Sequence, residues 1–133
     1  MKYCWHLFLY VILIAVVSCR KDAGPRPVAE QFLKALQQRD YQEAGKYGTR
    51  ETVKLLLQFE KIEKLNGLSN EGSAPATITI VSEDIKGKTA VVYFREEGLD
   101  YEQKLTLQKV EHDGRWEWKV AMKKDELKLL NES

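Results

Sequence analysis

Cysteine is nearly absent from this 133-residue chain, with Cys4 and Cys19 the only two and none beyond position 19. A domain formed by the later residues therefore has no disulfide, no cysteine nucleophile and no cysteine metal site. Histidine is as scarce, represented by His6 and His112 alone. One histidine beyond Cys19 cannot make a His-rich metal site, and no carboxylate spacing matches a calcium loop, so neither a metal nor a cofactor is expected. An excess of charge of either sign is also missing. Lys2 is the only charged residue before Cys19, which leaves 20 of the 21 Lys and Arg residues against 20 Asp and Glu, interspersed from Arg20 to Glu132. No basic field is present to hold a phosphate backbone, and nucleic acid is not an expected partner.

Long apolar runs are missing except for one. Leu7 to Val17 is 11 strongly apolar residues, preceded by Lys2 and closed by Ser18 and Cys19. A membrane-spanning helix needs about 20 such residues, so the run is short for a span and has the layout of a secretory signal. Val16-Val17-Ser18-Cys19 resembles the lipobox of bacterial lipoproteins. The resemblance implies acylation of Cys19, removal of residues 1–18 and attachment of the mature chain to a membrane through lipid. Arg20 is not the Asp that this family associates with inner-membrane retention, so the outer membrane is favoured. A plain secretory signal and an uncleaved anchor are the alternatives. Residues 19–26 then form the lipidated Cys and a Gly- and Pro-broken tether, and 27–133 form one domain, large enough for a single core.

Pro27 presets a helical φ, and Val28, Phe32, Ala35 and Leu36 follow at helical spacing, predicting a first helix to about Arg39. Asp40 with Glu43 reads as a capping box for a short second helix from Tyr41 to Tyr47, ending at Gly48. Thr49 caps a third helix that stops at Gly67, and Leu68 to Pro75 is a loop by composition. The period then changes to two. Strands are expected at Thr77–Val81, at Thr89–Phe94 with apolar residues on both faces, and at Tyr101–Val110, with turns at Asp84–Lys88 and Glu96–Asp100. Asp113-Gly114 is a hairpin signal, and a fourth strand from Trp116 places Trp116, Trp118, Val120 and Met122 on one face. Asp125–Leu130 is a candidate terminal helix. The order predicts an α+β domain with N-terminal helices packed on a curved four-stranded antiparallel sheet.

Two stretches carry a resemblance. Val28-Ala29-Glu30-Gln31-Phe32-Leu33-Lys34-Ala35-Leu36 followed by Arg39-Asp40-Tyr41-Gln42-Glu43-Ala44 looks like the opening of the nuclear transport factor 2-like (cystatin-like) superfamily, as found in small bacterial lipoproteins of unknown function. Asp113-Gly114-Arg115-Trp116-Glu117-Trp118-Lys119-Val120 resembles its closing hairpin. The resemblance covers Pro27 to about Lys124 and implies a cone between helices and sheet. One fold hosts many functions, so it implies no reaction.

Catalytic members of the superfamily place an Asp, His or Tyr inside the cone, where a raised carboxyl pKa or a paired donor does the chemistry. Tyr41, Tyr47, Tyr93 and Tyr101 are candidates by pattern, with Glu60 the acid beside an apolar helical stripe. None falls in a motif matching those enzymes, and His112 in a turn reads as solvated. Tyr41, Tyr93, Trp116, Trp118, Met122 and Glu60 are the candidate lining of a pocket; large core residues that seal the sheet are the alternative. The expectation is a lipid-anchored envelope protein that binds a partner protein or a small apolar ligand without catalysis. A small isomerase or hydrolase acting on a hydrophobic substrate, and a structural envelope subunit, are its rivals.

Overall fold

The structure, a computed structural model, describes residues 23–67 and 76–126. Cys19, the expected signal segment, the loop Leu68–Pro75 and the expected terminal helix beyond Glu126 lie outside those residues. Helix α1 spans Pro25–Gln37, two residues earlier than expected, because Pro25 itself occupies the first turn, where a missing N–H leaves no bond unmade. Its buried face is Val28, Ala29, Phe32, Leu33 and Ala35. Ala29 and Leu33 widen the expected stripe, as a helix laid on a sheet requires. The helix stops short of Arg39 because that residue turns left-handed, at φ 53°. There the Arg39 and Asp40 N–H groups close the helix end on the carbonyls of Leu36 and Ala35, both at 2.9 Å.

Helix α2, Tyr41–Gly45, is a single turn that ends before the expected Tyr47. The Asp40 carboxylate accepts the Glu43 N–H at 3.0 Å, forming half of the expected capping box. The other half is not made. The Asp40 N–H is already committed to Ala35, and the Glu43 side chain pairs instead with Lys46 at 2.6 Å. Helix α3, Arg50–Leu65, starts where Thr49 accepts the Thr52 N–H at 3.3 Å, as its sequence predicts.

Four strands follow, β1 Ile78–Lys86, β2 Thr89–Glu96, β3 Gln103–His112 and β4 Arg115–Val120, in one antiparallel sheet of order β1-β2-β3-β4. Strand β1 runs five residues past its expected end at Val81. The β1–β2 register slips at Val81, between Ile80 and Ser82, and the charged Glu83, Asp84 and Lys86 continue the strand; they are edge residues, not the turn their polarity suggested. The turn is confined to Gly87 and Lys88, with Gly87 at φ 60°. The β3–β4 hairpin turns on Asp113 at φ 50° and Gly114 at φ 74°, the double positive φ of a type I′ turn.

Strand β2 corrects a second expectation. Its two faces are not both buried: Ala90, Val92 and Phe94 are buried, whereas Val91 and Tyr93 are only half-buried. The described helices supply the reason, since α1 is the helix that packs on the sheet and it covers one face. Phe32, Leu56, Val92, Phe94, Leu107 and Val120 form the fully buried centre of the core. Each is worth roughly 1.5–3 kcal/mol in removed apolar surface.

The α2–α3 connection closes this core at the edge of β4. Gly48 bridges Val120 in parallel, the Val120 N–H donates to Tyr47 at 2.7 Å and the Thr49 N–H to the Val120 carbonyl at 2.8 Å. The buried Thr52 hydroxyl donates to the same Val120 carbonyl at 2.8 Å and accepts the Met122 N–H at 2.9 Å. Gly48 is required by this approach, because a Cβ there meets Thr52 Cγ2 at 2.8 Å. Thr52→Val keeps the shape but strands the Met122 N–H, the Val120 carbonyl keeping its bond from the Thr49 N–H, and is expected to cost about 1–3 kcal/mol in urea unfolding, with Thr52→Ser much milder. Gly48→Ala is expected to cost about 1–3 kcal/mol by overpacking in the same measurement.

Candidate binding site

Of the six expected lining residues, Tyr93 alone borders one of the two described recesses. Tyr93 alternates with the buried Val92 and Phe94 and so points to the sheet face away from α1. Trp118, 9% exposed, and Trp116, 40% exposed, do lie on the α1 side, toward the hairpin end. There Lys88 Nζ sits 4.1 Å from the Trp116 ring centre and Lys109 Nζ 5.8 Å from that of Trp118. Each pair is worth about 0.5–1 kcal/mol where exposed. Met122 is buried at the Thr52 junction.

Tyr41 and Glu60 come together elsewhere, where α2 packs on α3. The Tyr41 phenol is pushed well above its ordinary range, chiefly by burial and then by the neighbouring Glu63 carboxylate. Arg39 opposes the shift and Glu60 adds to it. Tyr41 is therefore a neutral phenol beside a carboxylate. Glu60 itself pairs with Lys64 at 2.9 Å, as a residue on a wetted helix face does. None of Tyr41, Glu60 and Glu63 lines either described recess.

Those two recesses flank the β2–β3 turn, which Gly98 enables at φ 92° and the Arg95–Glu102 pair braces at 3.5 Å. One, of about 540 Å³, lies along Thr77, Thr79, Val81 and the turn residues to Leu99. The other, of about 430 Å³, has the buried Phe94 and Leu105 in its walls, with Tyr93, Tyr101, Gln103 and Glu126 around them. A largely apolar recess of this size with a few polar groups suits a small molecule. Its acids are not buried in it: Glu102 pairs with Arg95, and Glu126 accepts the Lys123 N–H at 3.3 Å.

Gln103 is the residue that pattern reading missed. It shares the parity of the buried Leu105 and Leu107, so a polar side chain in an apolar series was the available signal. Its Nε2 is buried and has no hydrogen-bond partner among the described residues. His112 is exposed in the hairpin, 3.4 Å from the Asp113 carboxylate. Among the described residues no three His, Cys, Asp or Glu side chains converge as a metal site, and no helix is long and apolar enough to cross a membrane.

Fold and site define an α+β domain, an antiparallel meander packed by helices and carrying an open recess beside one turn. Compared with known protein families, curated proteins and solved structures, the chain matches none.

The Tyr41 environment sets a pH response. A raised folded pKa leaves stability untouched below the ordinary tyrosine value of about 10 and erodes it as pH rises beyond, because the unfolded chain releases the proton first. Glu63→Gln is expected to lower the Tyr41 ionisation pH yet leave it above the ordinary value, since burial is the larger cause. Ultraviolet phenolate titration, with Tyr41→Phe to assign the signal, checks this.

Proposed function

We propose that the chain is a lipid-anchored cell-envelope protein, attached through Cys19 and favouring the outer membrane, whose single domain binds a ligand or partner without catalysis. The anchor rests on the Leu7–Cys19 sequence and on Arg20 after it. The non-catalytic reading is carried by one observation: the apolar recess of about 430 Å³ is open and its two acids are engaged outside its buried walls. A carboxyl group acting as general acid or base is tuned to that work by shielding from water, which neither of these acids has in the recess. The Tyr41–Glu63 pair is the arrangement an isomerase or hydrolase would use, but it stands apart from both recesses.

The nuclear transport factor 2-like cone is the finer fold reading. It is supported by chain order, three helices before an antiparallel meander among the described residues, and by α1 packing on one sheet face. A protein partner is supported by a different feature, the exposed Leu57, Ile62 and Leu65 along α3, the last 77% exposed.

Two measurements test this. Cys19→Ser is expected to block acylation and leave a longer, unprocessed chain; unchanged size and unchanged membrane fractionation would remove the anchor from the reading. Purification with native lipids and metabolites, followed by mass spectrometry, is expected to recover a co-purifying small molecule that Tyr101→Ala or Leu105→Ala releases. Its absence from the native preparation counts against a retained ligand.

A further inference from the structure

We infer that the recess beside the β2–β3 turn takes a flat, mostly apolar molecule bearing one carbonyl-type acceptor, and that Gln103 is the residue that reads it. The inference rests on the binding reading above and adds the chemistry of the ligand.

The walls set the shape. Phe94 and Leu105 are buried side chains from adjacent strands, and Phe94 faces Gln103 in the last register pair of β2 with β3. Beyond that pair the strands part into the turn, so the recess opens where sheet hydrogen bonding stops. The half-exposed Tyr101 and the ring of Phe94 supply aromatic surface, which favours planar ligands over branched ones. A volume of about 430 Å³ admits a fused two-ring molecule with room for water.

Gln103 sets the polarity. A buried amide N–H without a partner forfeits hydrogen bonds that water supplied in the unfolded chain, and native structures leave few such groups. The residue lines the recess, and the terminal torsion of a glutamine is broad, so a small rotation brings Nε2 to an entering acceptor. The charged groups around the recess do not compete for that acceptor's place. Glu102 is held by Arg95, Glu126 by the Lys123 N–H, and Lys104 is exposed. The result is a recess that is apolar in its buried walls except for one idle donor.

Coumarin, a flat bicycle with a ring carbonyl, and naphthalene, its apolar counterpart, are the probes. Each is titrated into the nitrogen-15-labelled full chain in detergent, with Gln103→Met alongside so that partition into detergent cancels. Coumarin is expected to move the Gln103 side-chain N–H signals and the Tyr101 signals, and to bind Gln103→Met about tenfold more weakly, the worth of one hydrogen bond. Naphthalene is expected to move Tyr101 and to bind both proteins alike. Coumarin binding to Gln103→Met undiminished, or leaving the Gln103 N–H signals in place, would overturn the acceptor assignment while naphthalene binding preserves the recess. Failure of both probes to move Tyr101 overturns the recess as a ligand site as well.

Discussion

The hydroxyl of Thr52 is the constraint on which the arrangement of helices and sheet depends. It is the one buried polar residue in the core among those described, and it joins α3 to β4 by donating to Val120 and accepting from Met122. Its proton leaves it able to accept from Thr49, 3.0 Å away, whose oxygen in turn takes the Thr52 N–H. Every polar atom in the junction thus has a partner, which a buried junction needs because each unpaired group costs about 1–3 kcal/mol. Helix α3 has a narrow apolar face, with Leu55 and Phe59 only partly buried against the core. Only Thr52 and Leu56 of its 16 residues are buried, so the polar fastening takes the place of a wide apolar face.

The same junction treats one edge of the sheet. Tyr47 and Thr49 pair with the end of β4, where an open strand would otherwise present free N–H and C=O groups. The opposite edge is handled differently. Strand β1 carries an irregularity at Val81 and then Glu83, Asp84 and Lys86, features that discourage pairing with another chain. With these edges so treated, the recess beside the β2–β3 turn is one place among the described residues where buried apolar walls open to solvent. That location is what links the fold to the proposed binding role.

Much of the local architecture was legible in the sequence because local rules governed it. Thr49 as a cap and Asp113-Gly114 as a turn act within three or four residues, and they appear where the pattern put them. Errors arose where one residue type serves two purposes. Charges at Glu83–Lys86 suit a turn and also an exposed edge, and only the pairing with β2 distinguishes them. Tyr93 sits in an apolar run that fits a strand buried on both faces, yet the described helix packing covers one face alone. Five of the six residues expected to line a pocket lie outside both described recesses, because they were chosen for type, while strand parity and helix packing set the direction of each.

By itself the sequence determined the order of helices and strands, the Thr49 cap and the Asp113-Gly114 turn, since each is a property of a few neighbouring residues. Tertiary structure alone decided the roles of Thr52 and Gln103. Thr52 reads as an ordinary helix residue until Val120 and Met122, 68 and 70 positions away, are brought to its hydroxyl. Gln103 is an unremarked polar residue until Phe94, Leu105 and Tyr101 enclose it. A hydrogen-bonding side chain acquires its meaning from what surrounds it, and those surroundings are assembled by packing across the whole domain.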